Sequence, residues 1–199
     1  MYRKNKINEF FTTKAREEGY PARSVYKLKE TDEKYHLFKN GDRVLDLGCA
    51  PGSWLIYVAN KIGNQGKVVG IDIKDIKISL KENIIFIKKD IMDFEKSGAE
   101  ELKQKYQAVI SDLAPSTSGM RSVDAAKSLE LCEKAFDIAK IALVPGGNFV
   151  CKIFEGESAN NFFKEVEKSF KFAKRFKPRA TIKRSKEFYI IGNGFNGNQ

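Results

Sequence analysis

The chain has 199 residues, 42% of them hydrophobic, and a net charge of +10. That length suits a single domain spanning residues 1–199, and no apolar run approaches the roughly 20 residues that cross a bilayer. Three cysteines (Cys49, Cys132, Cys151) lack paired spacing, and with His36 as the one histidine no zinc set can be assembled. The opening MYRKNKINEF is charged and has no apolar core, so a reduced, cytoplasmic, metal-free protein without a secretory signal is expected.

Charge is unevenly distributed. Residues 1–29 carry a net +5, residues 168–186 hold nine Lys/Arg and no acid, and the remainder is net −4. Two basic ends around a mildly acidic centre are the footprint of a polyanion binder.

In chain order, residues 5–37 predict two helices broken at Gly19-Tyr20-Pro21, a basic N-terminal extension over 1–37. In the second helix, Ala22, Val25, Leu28, Asp32 and Tyr35 follow helical spacing, with Asp32 the one acid on the stripe. Asn40-Gly41-Asp42 turns into a buried strand, Val44 to Leu47, followed by Gly48, Gly52 and a helix to about Ile62. Strands follow at Val68–Ile71, Ile84–Ile87 and Ala108–Ile110, with a polar helix between Glu95 and Lys105. After the loop LAPSTSGM, residues Ser122 to Leu143 carry an apolar stripe: Val123, Ala126, Leu129, Cys132, Phe136, Ala139 and Leu143. A sharp turn at Pro145-Gly146-Gly147 precedes a strand from Asn148 to Ile153. A helix over 158–170, a basic strand pair near 171–184 and a strand from Phe188 to Ile191 complete the pattern. The Gly/Asn-rich residues 192–199 read as a disordered tail. Alternating strands and helices predict an α/β three-layer sandwich with a mostly parallel sheet and an antiparallel edge hairpin.

In such sheets ligands bind at the carboxyl ends of the strands. The loop from Asp46 through Gly48, Gly52 and Ser53 to Trp54 is thus the expected floor of a cofactor pocket. Asp46, Asp72, Asp90 and Asp112 each end a strand or follow one closely, either as ligand-facing acids or as ordinary turn and N-cap acids. The loop lacks the three-glycine fingerprint of dinucleotide binders, and its acids repel a diphosphate while suiting a cation. S-adenosylmethionine, a sulfonium with a ribose diol and no phosphate, meets that demand, with Asp72 on the ribose and Asp90 at the adenine.

The segments ARSVYKL (22–28), DLGCAPGSW (46–54), SDLAPSTSG (111–119), GGNFVCKIFEGE (146–157) and SKEFYI (185–190) resemble, in order and spacing, the FtsJ family of RNA 2′-O-ribose methyltransferases. The resemblance runs from about residue 10 to 191. It implies a Rossmann-like class I S-adenosylmethionine-dependent methyltransferase with a seven-stranded sheet. It also implies a catalytic tetrad of Lys27, Asp112, Lys152 and Glu187, Lys152 being the proton acceptor, with cofactor contacts at Gly52, Trp54, Asp72, Asp90 and Asp112. Family members often have Asn-Met where this chain has Ser116-Thr117, and Arg where it has Lys186; both departures bear on substrate detail. The compact form, without an appended RNA-binding domain, resembles monomeric bacterial-type enzymes that modify a uridine of large-subunit ribosomal RNA. Relatives acting on the tRNA anticodon loop are the alternative.

The chemistry agrees with that resemblance. A ribose 2′-hydroxyl is a weak acid, so methyl transfer to it needs its proton removed or its developing charge stabilised. Lys152 in an apolar strand, with Lys27 as a second cation and two carboxylates to aim them, serves either purpose. Phosphate contacts are expected from Lys14, Arg16 and Arg23 near the N-terminus and from Arg175, Arg179, Lys183 and Arg184 near the other end. The readings from other classes are a non-catalytic RNA-binding assembly factor and a nicotinamide oxidoreductase.

Overall fold

The computed structural model describes residues 2–96, 103–182 and 184–197. Helices α1 (Tyr2–Glu17) and α2 (Val25–Tyr35) precede β1 (Arg43–Leu47), and α3 (Ser53–Ile62) leads to β2 (Lys67–Asp72) and β3 (Ile84–Lys88). A 3-10 helix over Ile91–Lys96 comes before β4 (Tyr106–Ser111), α4 (Arg121–Ala142), β5 (Leu143–Phe154), α5 (Ala159–Ser169), β6 (Phe170–Phe176) and β7 (Glu187–Phe195). The polar helix expected between Glu95 and Lys105 falls, over residues 97–102, outside the described residues.

The seven strands form one sheet in the order β3-β2-β1-β4-β5-β7-β6. The first five are mutually parallel, and β7 runs antiparallel to both β5 and β6. The fold expectation is thus met, with the reversed strand one place in from the edge. Apolar side chains alternate between two cores. Leu45, Leu47, Val109, Phe149 and Ile190 face α4 and α5. Val44, Val68, Ile110, Val150 and Tyr189 face α2 and α3. Parallel strands buried on both faces explain the unbroken apolar runs.

Three local expectations are corrected. Residues 192–195 continue β7, because the buried Phe195 packs on Phe170 and the bare backbone of Gly192 admits the Phe170 ring. Pro145 to Gly147 are not a turn ahead of the strand but lie within β5, which begins at Leu143. They form a bulge in β5 between the pairs Tyr106–Leu143 and Ala108–Asn148, with Gly146 at φ 82°. The basic strand pair near 171–184 is a single strand, β6, because Pro178 cannot extend a ladder and the chain turns back along α2.

Asp32, the acid on the apolar stripe of α2, is buried beneath that helix's C-terminus. One carboxylate oxygen accepts the N–H groups of Leu37 (2.9 Å) and Phe38 (3.3 Å). The other accepts the Tyr57 hydroxyl (2.7 Å) and faces Lys61 (3.2 Å), tying α2 to α3. Asp32→Ala leaves those donors unpaired and is expected to lower unfolding free energy by about 3 kcal/mol. Urea denaturation checks this, and a loss below about 1 kcal/mol contradicts it.

Candidate active site

The five parallel strands bring their carboxyl ends to one edge of the sheet. Pairing fixes the faces: Asp46 stands beside Gly70 and Ile110, Cys151 beside Ser111, and Lys152 opposite Tyr189. Side chains alternate along a strand, so Asp46, Asp72, Asp112, Lys152, Glu187 and Tyr189 all fall on the face covered by α2 and α3. Helix α2 delivers Lys27 to that face from its first turn.

The four tetrad residues form two buried ion pairs. Lys27 Nζ pairs with Glu187. Lys152 Nζ donates to the Asp112 main-chain carbonyl (2.6 Å) and lies 3.0 Å from its carboxylate. Lys27 and Lys152 are only 9% and 7% exposed, so these charges are shielded from solvent. Each lysine therefore has its own carboxylate. Tyr189, which the sequence reading passed over, donates its hydroxyl to Asp112 Oδ1 (2.8 Å) and lays its ring near Trp54, 6.1 Å between centroids. Burial first, and then the Asp112 and Glu187 charges, push the Tyr189 phenol upward, so it stays a donor. A tyrosine two residues past Glu187 on an apolar strand was the available signal, since period 2 gives both one face.

The expected cofactor floor has two parts. Gly48 (φ 79°) and Gly52 (φ 108°) adopt left-handed backbone, and a Cβ on Gly48 would lie 2.6 Å from Leu113. Beneath them Asp46 is fully buried, and both its carboxylate oxygens lack a hydrogen-bond partner among the described residues. Burial, followed by the Asp112 and Asp72 charges, raises its carboxyl well above the usual range. An unpaired buried acid with two neighbouring acids fits a cationic group and opposes a diphosphate.

Ser53 and Trp54 do something else with their side chains. Ser53 Oγ accepts the Ala22 N–H (2.7 Å) and Trp54 Nε1 donates to the Ser24 carbonyl (3.0 Å), so both secure the entry to α2. Asp72 accepts the N–H groups of Ala50 (2.9 Å) and Lys74 (2.8 Å), while Asp90 accepts that of Met92 (2.9 Å). These two acids shape their turns, and each also has lone pairs left for a ligand.

The expected RNA contacts separate. Arg16, Arg179 and Arg184 are exposed. Lys14 lies 3.8 Å from Glu18 and over the Tyr26 ring, and the Arg23 guanidinium donates to the Ala180 carbonyl (3.5 Å). Arg175 is exposed as well, with its guanidinium over Phe163 at 4.7 Å on the sheet face opposite Lys27. Lys183 lies outside the described residues.

Comparison with known proteins gives the same answer. A ribosomal RNA large subunit methyltransferase E from Desulforapulum autotrophicum is 49% identical over 192 residues, covering 96% of this chain and 95% of the relative. Its counterpart in Desulfatibacillum aliphaticivorans is 44% identical, covering 95% and 91%. Among solved structures, a Plasmodium falciparum protein assigned as a ribosomal RNA methyltransferase superposes with a TM-score of 0.80 at 28% identity, covering 90% of this chain and all of that one. Human methyltransferase-like protein 13 in complex with SAH shares the fold alone, with a TM-score of 0.56 at 14% identity, covering 82% of each chain. Fold and site define an S-adenosylmethionine-dependent methyltransferase of class I. Residues 20–195 match the family model, and the chain belongs to the FtsJ-like methyltransferase family.

Asp46 gives this site a pH signature. With its folded-state carboxyl raised above the unfolded value near 3.9, the folded protein holds a proton that the unfolded chain releases, so stability falls as pH rises above about 4. Asp46→Asn removes that contribution. In cofactor-free protein the melting temperature of the variant, relative to wild type, is expected to climb between pH 4.5 and 8. A constant difference across that range contradicts the assignment.

Proposed function

We propose that this protein methylates the 2′-hydroxyl of a uridine ribose in large-subunit ribosomal RNA, acting as a monomer in the cytoplasm. The observation that carries the reading is the pair of buried ion pairs, Lys27–Glu187 and Lys152–Asp112, at the strand ends beside the acid-floored glycine loop. An RNA-binding assembly factor needs no such shielded charges. A nicotinamide enzyme needs a loop that tolerates a diphosphate, which the acids Asp72 and Asp112 beside Asp46 oppose.

S-adenosylmethionine supplies an electrophilic methyl carbon on a sulfonium centre. Asp46, Asp72 and Asp90 are the acids that would hold this cation with its ribose and adenine, beside the loop of Gly48 and Gly52. Lys152 directs two of its Nζ positions at Asp112, leaving one tetrahedral position for the ribose hydroxyl. In the neutral amine both N–H bonds then point at Asp112 and the lone pair takes the hydroxyl proton. Lys27, steadied by Glu187, offsets the negative charge that develops on the oxygen. Tyr189 fixes the Asp112 carboxylate, and so the direction of Lys152.

RNA reaches this site along the basic N-terminal helices and the 177–186 loop, with Arg16, Arg179 and Arg184 contacting phosphates. Loop and helix are joined where the Arg179 N–H donates to Glu30 (2.7 Å) and Arg23 meets Ala180, so the two basic segments form one surface.

The direct test offers labelled S-adenosylmethionine with unmodified large subunits and unmodified tRNA in parallel, and maps the labelled nucleotide. Label at a 2′-oxygen of large-subunit RNA is expected, whereas label confined to tRNA reassigns the substrate. Lys152→Ala is expected to keep the fold and cofactor affinity and to lose at least about 1,000-fold in turnover; near-wild-type turnover refutes the role. Charge reversal at Arg16 and Arg184 is expected to weaken RNA binding and flatten its dependence on log salt, with cofactor affinity unchanged. An unaltered salt slope counts against the surface.

A further inference from the structure

The apolar stripe of α4 outruns the core it serves. Cys132, Phe136 and Ala139 are buried against the sheet, but one turn and more toward the N-terminus Leu129 is half-buried and Ala126 exposed. These two line a cavity of about 460 Å³ beside the end of β5, floored further by Ala125, Ile153 and Phe154. A second hollow of about 200 Å³ shares Arg121, Phe154, Glu155 and Lys186 with the first and adds Asp124 and Ser185. Phe154 stands opposite Glu187 in the β5–β7 register, so the two hollows lie at the strand end that carries Glu187.

Resting on the ribose-methylation reading, we propose that the larger hollow receives the base of a nucleotide flanking the methylated one. Its size admits a nucleobase, and its apolar floor with the Phe154 ring offers a surface for a flat heterocycle. Charge sorts the parts of the nucleotide. Glu130, Glu133, Glu155 and Glu157, exposed residues of the larger hollow's lining, repel phosphate, while their carboxylates accept N–H groups from a base edge. Arg121 and Lys186, which also line the second hollow, attract the phosphates on that side, and Lys186 closes the basic stretch that begins at residue 168. Burial, and then the neighbouring acids Glu165, Asp137 and Glu130, raise the Glu133 carboxyl, and the three acids make this wall unfavourable for an anion. A flanking base held here draws its neighbour out of the stack, toward Lys152, as reaching a single ribose requires.

The test uses large subunits reconstituted around RNA that is intact or carries an abasic residue on one or the other side of the target. Each is offered to wild-type protein and to Ala126→Trp, which fills the hollow from an exposed helix position. With wild type, one of the two abasic substitutions is expected to lower kcat/KM for RNA by about 30-fold. With A126W the intact RNA loses a similar factor, the same abasic substitution adds nothing, and the dissociation constant for S-adenosylmethionine is unchanged. Equal abasic penalties in the two proteins overturn the proposal, as does unimpaired methylation by A126W, the outcome if a protein side chain occupies the hollow. The wild-type arm stands even if A126W does not fold, since the absence of a penalty on either side is fatal by itself. Failure of wild type to methylate intact RNA overturns the ribose-methylation reading and this inference together; methylation without an abasic penalty overturns this inference alone.

Discussion

The antiparallel register between β5 and β7 is the constraint from which the site follows. It sets Lys152 opposite Tyr189 and Phe154 opposite Glu187, so one lysine, its tyrosine brace and a second carboxylate share a face. A slip of β7 by one residue would send Tyr189 and Glu187 into the apolar layer under α4 and α5, while Lys152 stays where the β4–β5 pairing holds it. Register is protected by what lies further along the same ladder. Val150 meets Ile191, Phe149 meets Gly192, and Asn148 is joined to Asn193 by a 3.1 Å hydrogen bond. Burial in both cores thus aligns charges that contribute nothing to burial themselves.

The acid-rich edge is a compromise between stability and binding. Three aspartates on one face repel one another, and Asp46 has no partner among the described residues to relieve it. A cationic ligand would supply that relief. The same loop also governs the approach of Lys27. Ser53 and Trp54, which directly follow Gly52, hold Ala22 and Ser24 at the entry to α2, and Asp32 pins the far end of the helix. The glycine loop and the Lys27–Glu187 pair are accordingly parts of one hydrogen-bonded unit.

Much of this was legible in the residues. Apolar runs ending in acids announced β1, β2 and β4, and the paired glycines marked the loop between β1 and α3. Where composition was the only guide, tertiary packing overrode it. Residues 192–195 look too polar and flexible to order, yet Gly192 is there because the Phe170 ring needs its space. Ser53 and Trp54 sit in a cofactor motif, but their side chains answer to a helix some 30 residues away, which local spacing does not encode. Arg175 reads as one more basic residue, and only the fold sets it over Phe163 on the face away from Lys27. The stripe of α4 reads as uniform core because periodicity fixes a face, whereas the length of that face covered by the sheet depends on where β5 ends.

The most direct measurement is a crystal structure of the protein bound to a non-reactive S-adenosylmethionine analogue and a short target RNA. The account predicts one ribose 2′-oxygen within hydrogen-bonding reach of Lys152 Nζ, with Lys152 still held by Asp112 and the analogue's sulfur-equivalent centre above Asp46. A target ribose seated away from Lys152, or an ammonium that has left Asp112 to bind phosphate, would contradict it.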